Sequence, residues 1–293
     1  MTGDSYTLDE LLCTTMARQI EDGDVLLEGI GAFLPTAAYE LARQTHAPNA
    51  VSWSPIGGVF RSDSVQLGLG EYERETLRVA HGRATYGEIA LWFLPAYLPA
   101  ERPRWKEFMR PAQVDPFGNT NNVVIGPYDS PTVRLPGGVG LPDGCALERG
   151  LIMYVPRHDR RTLVGQVDFI SGVGCLLPDG NSEGVASKPE VITTDLGVFE
   201  FEEGGGLRAR SLHPGVGTAL VRERTGFDIT VPDDVTSTPL PTPEELRLLR
   251  EVIDPRGLRR LELLAGRERL RLIREIIEEE PAPSSERAGR VST

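Results

Sequence analysis

Cysteine and histidine are scarce in this sequence, which has three cysteines and four histidines among 293 residues. Cys13, Cys145 and Cys175 are odd in number, lie far apart and form no Cys-x-x-Cys pair. This pattern fits neither a disulfide framework nor a zinc site. The histidines and carboxylates also lack metal-ligand spacing, so we predict a reduced protein without a metal site.

Long apolar runs are missing too, and none approaches the ~20 residues that a membrane-spanning helix needs. The first ten residues are polar and acidic, unlike a secretory signal peptide. The net charge of −12 argues against a nucleic-acid partner, which requires a basic face. We therefore expect a cytoplasmic protein that binds neither membrane nor nucleic acid.

Short apolar runs alternate with helical patterns along most of the chain. Val25 to Leu27 reads as a buried strand, Gly29-Ile30-Gly31 as a tight turn, and Pro35 to Arg43 as a helix. Further strands are predicted at residues 50–53, 151–155, 163–170, 191–194 and 198–201. This alternation predicts an α/β fold, with an open, mostly parallel sheet, flanking helices and some antiparallel strands late in the chain.

The C-terminal region is divided by its composition. Thr242-Pro243-Glu244-Glu245 has the signals of a capped helix start, and that helix is expected to end near Asp254. A second, amphipathic helix is predicted from Leu258 to Glu279. We therefore divide the chain into an α/β domain (1–255), a C-terminal helix (256–280) and a disordered tail (281–293). The proline- and aromatic-rich segment 95–111 is interpreted as a lid, a partner contact or a packed surface loop.

The polar turn from Ala112 to Asn122 stands out most. Pro116 and Gly118 shape its backbone, and its Asp and Asn side chains can bond nearby backbone or a ligand. The glycine pair Gly137-Gly138 follows. An Asn-rich turn leading to a Gly-Gly loop is typical of a site where N–H groups approach a ligand closely.

Several separated motifs together resemble a known family. They are, in chain order, Gly29-Ile30-Gly31 with Pro35, His46-Ala47-Pro48-Asn49, the Gln113 to Asn121 pattern Gln-x-Asp-x-x-Gly-Asn-x-Asn, Asp195 to Phe199, Ser211 to Gly215 and Leu248 to Pro255. From about Leu11 to Leu258 the chain resembles the β-type subunits of class I coenzyme A transferases of the glutaconate kind. It resembles at least as closely the β-type subunits of the steroid-ring-opening CoA hydrolases of actinobacteria.

The resemblance implies a NagB/RpiA-like α/β fold and an α-type partner subunit, in a heterodimer or heterotetramer. It also implies an acyl-CoA thioester as substrate, with no other cofactor. Transferases of the family attack the thioester with a glutamate that follows the Ala-Pro dipeptide, forming an anhydride and then a glutamyl-CoA thioester. The matching stretch here, Pro48 to Gly58, contains neither Glu nor Asp. A shifted alignment that brings Asp63, Glu71 or Glu73 into the site is the alternative.

These departures favour a hydrolase-like β-type subunit that cleaves a C–C bond or a thioester without a glutamyl-CoA intermediate. A true transferase between carboxylic acids and a non-catalytic scaffold subunit remain open. Gly137 and Gly138 are the candidate oxyanion donors, with glycine needed at 138, and Asn119 and Asn121 are expected to shape the loop or touch the acyl group. The candidate substrate-binding residues are Gly29, Gly31, Ser54 and Gln113. His46 and His213 are each either a general base or a structural histidine.

Overall fold

The computed structural model describes residues 5–55, 57–85, 87–89, 105–138, 140–147, 151–175, 189–202 and 204–280. The first half contains α1 (Leu8–Ala17), β1 (Val25–Leu27), α2 (Phe33–Thr45), β2 (Val51–Ser54), β3 (Val59–Arg61), α3 (Glu71–Arg78), β4 (Gly82–Arg83) and β5 (Trp105–Met109). Strand β1, the glycine turn and α2 confirm the predicted strand-turn-helix unit. Most of the segment 95–111 lies outside the described residues.

The second half begins with four short strands, β6 (Gln113–Val114), β7 (Thr120–Asn121), β8 (Val124–Ile125) and β9 (Val133–Arg134). It continues with α4 (Leu141–Leu147), β10 (Leu151–Val155), β11 (Val191–Thr194), β12 (Gly197–Phe201), β13 (Leu207–Leu212), α5 (Thr218–Arg224), β14 (Ile229–Thr230) and β15 (Thr236–Ser237). The C-terminal elements are α6 (Pro243–Arg247), a π-helical turn (Leu248–Ile253), a 3₁₀ helix (Leu258–Glu262) and α7 (Gly266–Glu279).

One sheet organises the molecule, with strand order β14-β13-β12-β11-β10-β5-β1-β2-β3-β4 and β15 beside β13. Its centre, from β2 through β1, β5 and β10 to β11, is parallel throughout. Antiparallel strands flank this centre: β3 and β4 on one side, β12 and β13 on the other. The predicted open α/β sheet is therefore confirmed. Because the central strands run the same way, their carboxyl ends share one edge of the sheet.

Helix α2 is held against the sheet by a buried tyrosine. The Tyr39 hydroxyl donates to the carbonyl of Leu27 at 2.9 Å and accepts from the N–H of Phe108 at 3.1 Å. Leu249 and Leu258 from the C-terminal elements are buried in the same core cluster as Tyr39. The domain boundary after residue 255 stays a prediction, but the chain beyond it contributes to the main core.

No helix in the described ranges is long and apolar enough to cross a membrane.

Two predicted elements differ in the structure. Residues 163–170 form no strand: only Leu163 bridges to Val114, and Asp168 instead bonds the Gln113 side chain. The helix expected over Leu258–Glu279 is broken between Glu262 and Gly266. Its first turn is anchored by Asp254, whose carboxylate accepts the N–H groups of Leu258 and Arg259 and binds the Arg259 guanidinium. The capped helix at Thr242 is confirmed, with Glu245 N–H bonded to the Thr242 hydroxyl at 3.2 Å.

Candidate active site

The carboxyl edge of the parallel strands brings together residues that are distant in sequence. Glu28 directly follows β1, and Ser54 ends β2. The N–H of Glu28 donates to the carbonyl of Trp53 at 3.1 Å, so Glu28 and Ser54 lie on neighbouring strands at the same level. Both line a cavity of 180 Å³ together with Gly29, Ile30 and Gly31. The structure thus unites Gly29, Gly31 and Ser54, three of the four residues predicted to bind substrate.

The glycine turn after Glu28 leads directly into α2. Gly31 has φ +70°, a conformation that favours glycine, whereas Gly29 does not. Ile30, between them, has 75% of its surface exposed. The N-terminus of α2 already holds a carboxylate, because Glu262 Oε1 accepts the N–H of Leu34 at 2.8 Å.

A buried chain of charges runs behind the cavity. The Arg61 guanidinium binds Glu28 and, at 2.6 Å, Glu40. Glu40 also binds Arg43 at 3.0 Å, and Arg43 bonds the hydroxyl of Ser52 at 2.6 Å. Burial alone would raise the pKa of Glu40, but the two guanidiniums outweigh it and hold that pKa below its usual value. Sequence reasoning missed these charge pairs, because their members come from α2, β2, β3 and the end of β1.

Tyr72 lies between these charged residues and the cavity, which it lines. Its hydroxyl accepts from Arg61, and its ring centroid lies 5.4 Å from the guanidinium carbon. Burial raises the pKa of Tyr72 well above its usual value, and the nearby Glu28 carboxylate adds to this rise. The Ser54 hydroxyl is buried and has no hydrogen-bond partner among the described residues. Among the described residues, no base is therefore hydrogen-bonded to the Ser54 hydroxyl.

The three carboxylates that a shifted alignment could supply lie apart from Ser54 or at the cavity rim. Asp63 is exposed, and its backbone carbonyl accepts from Arg61 at 2.9 Å. Glu71 binds Arg256 at 3.2 Å. Glu73 lines the same cavity as Ser54 from an exposed position on α3.

The polar turn is stabilised by its own side chains. Asn121 donates to Gln113 Oε1 at 2.7 Å, and its carbonyl oxygen accepts the N–H groups of Val123 and Val124. Gln113 in turn donates to Asp168 at 3.1 Å. The amide groups of Gln113 and Asn121 are thus bonded within the chain. This geometry favours a loop-shaping role over the substrate contact predicted for Gln113.

Asn119 is similarly occupied. It donates to the Asp115 carboxylate at 3.0 Å and accepts the N–H of Gly174 at 2.8 Å. Its side chain is fully buried. Of the two roles open for Asn119 and Asn121, shaping the loop therefore agrees with the contacts, and contact with the acyl group has no geometric support.

The Gly-Gly loop corrects one expectation. The N–H of Gly137 donates to the carbonyl of Asn122 at 2.9 Å, so it is not available as an oxyanion donor in this structure. The left-handed conformation also belongs to Gly137, with φ +112°. At Gly138 an added Cβ would meet Ser171 at 3.4 Å, an ordinary contact, so glycine is not required there. The oxyanion role of Gly138 stays a prediction.

Three of the four histidines make structural hydrogen bonds through their rings. His46 Nε2 lies 3.1 Å from the carbonyls of both Ala17 and Ile20. His213 lies between the Thr238 hydroxyl and the Thr194 carbonyl. Burial lowers the pKa of His213, so its neutral form is favoured. His158 is bonded to the hydroxyls of Thr194 and Thr225. Burial together with the charge of Arg224 lowers the pKa of His158 to about 3.

A second and larger cavity, of 320 Å³, lies at the opposite edge of the sheet. It is lined by residues near the amino ends of the parallel strands, including Lys106 and Glu190, and by Arg18 and Arg210. It contains none of the predicted site residues. We therefore assign the candidate active site to the carboxyl edge.

Comparison with known proteins identifies the family. The coenzyme A transferase family model matches residues 12–223, so the chain belongs to this family. It is 35% identical over 255 residues to the B subunit of 3-oxoadipate CoA-transferase from Pseudomonas knackmussii, covering 84% of this chain and 93% of that protein. It is 39% identical over 156 residues to the cholesterol ring-cleaving hydrolase IpdB subunit of Mycobacterium tuberculosis, covering 52% of this chain and 61% of that protein.

The fold is shared with a solved member of the family. The structure of glutaconate coenzyme A-transferase from Acidaminococcus fermentans matches with a TM-score of 0.77 at 24% identity, covering 89% of this chain and 99% of that chain. The predicted resemblance and fold are therefore confirmed. The relatives include both transferase and hydrolase subunits, and this leaves the reaction to be proposed from the site.

Proposed function

We propose that this chain is the β-type subunit of a heteromeric enzyme that cleaves an acyl-CoA substrate with water, without a glutamyl-CoA intermediate on this chain. The observation that carries the proposal is the carboxyl end of β2. It presents Ser54, and the stretch 48–58 contains no carboxylate. The chemistry of the transferases requires a carboxylate nucleophile there.

Neighbouring groups do not replace that nucleophile well. Ser54 is 1% exposed, and a serine needs a base to attack. Glu28 lies beside Ser54 on the neighbouring strand, but it is buried and bound to Arg61. Acylation of Glu28 would remove its negative charge. One positive charge would then remain uncompensated inside the protein, which is costly.

The partner is an α-type subunit, in a heterodimer or heterotetramer. The transferase relatives are B subunits, which supports a two-chain enzyme here as well. Among the described residues of the carboxyl edge, Glu28 is bound to Arg61 and Glu73 is exposed at the cavity, so this edge supplies a wall and a glycine turn but no base held in place beside Ser54. The partner would therefore supply the acid–base group. Coenzyme A enters as part of the substrate, and no other cofactor is proposed.

Transfer between carboxylic acids is the second candidate. It is favoured by the similarity to a transferase chain over nearly the whole length of both proteins. In that case Glu28 or Glu73, the two carboxylates that line the cavity, would have to act as the nucleophile. A non-catalytic scaffold role is the third, and it requires the partner alone to be fully active.

The experiment uses the chain co-purified with its partner, incubated with an acyl-CoA panel in ¹⁸O-labelled water. Without any acceptor acid, thioester hydrolysis predicts labelled acid and free CoA, and C–C hydrolysis predicts a labelled carboxylate on an acyl chain that is still joined to CoA. Transfer predicts a new acyl-CoA only when an acceptor is present. Ser54→Ala should retain substantial activity. A strict requirement for an acceptor would contradict the proposal, and full activity of either chain alone would contradict the two-chain site.

A further inference from the structure

The cavity at the carboxyl edge has a predominantly apolar wall. Its apolar lining consists of Ile30, Ala32, Phe33, Pro55, Leu67 and Leu69. Its titratable lining residues are acidic or phenolic: Glu28, Tyr72 and Glu73. Among the described residues that line it, there is no Lys, Arg or His to attract an anion.

Nearby guanidiniums are neutralised within the chain. Arg61 lies between Glu28 and Glu40. Arg256 binds Glu71 at 3.2 Å and lies 4.0 Å from Glu280. Each cation therefore faces two carboxylates, and neither carries an uncompensated charge that could attract a substrate anion.

Three backbone donors close to the cavity are occupied by protein carboxylates as well. Glu262 accepts the N–H of Leu34 at the start of α2, the position where a substrate carboxylate would otherwise bind favourably. Glu280 accepts the N–H groups of Leu69 and, at 3.1 Å, Gly70. At these three donors a substrate anion would have to displace a protein carboxylate. Anywhere in the cavity it would also approach the exposed Glu73 carboxylate.

We propose that the part of the acyl group that lies against this chain is uncharged and apolar, and that a terminal carboxylate is rejected there. The inference rests on the proposed function, in which this cavity receives the acyl group of a CoA thioester. Two of the relatives are named for 3-oxoadipate and glutaconate, which are dicarboxylates. This chain would differ from them in substrate charge.

The test compares acyl-CoA substrates of equal length that differ in a terminal carboxylate. The assembled enzyme is assayed for CoA release from hexanoyl-CoA and adipyl-CoA, with and without an acceptor acid. We expect kcat/KM to be at least about tenfold higher for hexanoyl-CoA in whichever mode is active. Equal or better use of adipyl-CoA would overturn the inference.

A charge-introducing variant sharpens the test. Ile30 is 75% exposed at the cavity, so Ile30→Arg should fold and should shift the preference toward adipyl-CoA by about tenfold. Leu240→Arg is the matched control, because Leu240 is 52% exposed and does not line the cavity. An unchanged preference in Ile30→Arg, or the same shift in Leu240→Arg, would contradict the role of this wall. If Ile30→Arg does not assemble, the wild-type comparison decides alone.

Binding separates this inference from the proposed reaction. The inert thioethers hexyl-CoA and 5-carboxypentyl-CoA are titrated calorimetrically into the assembled enzyme. Tighter binding of hexyl-CoA supports an uncharged acyl site even if neither thioester is hydrolysed. Tighter binding of the carboxylated thioether, or no binding of either, overturns it.

Discussion

Replacing the buried Arg61 should destabilise the protein strongly. Arg61 is completely buried and connects Glu28 with Glu40, which retains Arg43 as a second partner. In Arg61→Met, Glu28 is therefore the carboxylate left buried without a cation. Breaking a buried pair in this way costs about 3–5 kcal/mol, because the remaining charge loses its compensation.

Urea unfolding of the variants measures this effect against two references. Arg78→Met removes a pair with Glu75 that is also 2.6 Å long, but Arg78 is 63% exposed, so we expect a loss of only about 0–1 kcal/mol. The double variant Arg61→Met/Glu28→Gln should recover more than half of the stability lost in Arg61→Met. The reasoning is refuted if Arg61→Met and Arg78→Met lose similar stability, or if Glu28→Gln gives no recovery.

Three further predictions concern pH, the Gly-Gly loop and the polar turn. Burial lowers the pKa of His158 to about 3, so the unfolded chain binds its proton below about pH 6.5 while the folded chain does not. The free energy of unfolding should therefore fall below that pH by up to about 1.4 kcal/mol per pH unit. Urea midpoints of wild type and His158→Gln, measured at about pH 7.5 and 5, isolate the contribution of His158. Buried carboxylates such as Asp24, whose pKa burial raises to about 6, act in the opposite direction in both proteins. Gly138→Ala should keep the wild-type kcat. Gly138→Pro, which lacks the N–H, should lose roughly 10²–10³-fold in kcat at an unchanged melting temperature. Equal kcat in the two variants would exclude the oxyanion role. Asn121→Ala should cost about 1–3 kcal/mol of stability and leave the KM for acyl-CoA unchanged in the folded fraction, since its amide is bonded within the loop; a raised KM would restore a substrate contact.

Local sequence signals predicted much of the fold. The turn at Gly29 to Gly31 and the cap at Thr242 each depend on residues that are consecutive in the sequence, and both are found in the structure. Residues 163–170 were misread as a strand, because an apolar run does not reveal that Asp168 bonds a side chain far away in sequence. The helix break after Glu262 was not predicted for a similar reason, because Glu262 accepts the N–H of Leu34, which is far away in sequence.

The site was predicted only in part. Parallel strands place the Gly29 turn and Ser54 at the same edge of the sheet, as predicted. The pairing of β1 with β2, which brings them side by side, was not predicted. The Asn-rich turn has the composition of a ligand loop, yet the Asn119 side chain is bonded to Asp115 within the turn and to Gly174, which is distant in sequence. Glu28 was overlooked because its partner Arg61 is on another strand and the pair has no sequence signature.

Peptide mapping of the acyl-CoA-treated enzyme tests the central claim most directly. The assembled enzyme is incubated with its acyl-CoA, treated with borohydride to reduce any glutamyl thioester, and digested. We predict no reduced Glu or Asp anywhere from Val51 to Glu75, and none at Glu28, with activity unchanged by the treatment. A single reduced residue at Glu28, Asp63, Glu71 or Glu73, appearing together with inactivation, would contradict the hydrolase-like account and establish a transferase.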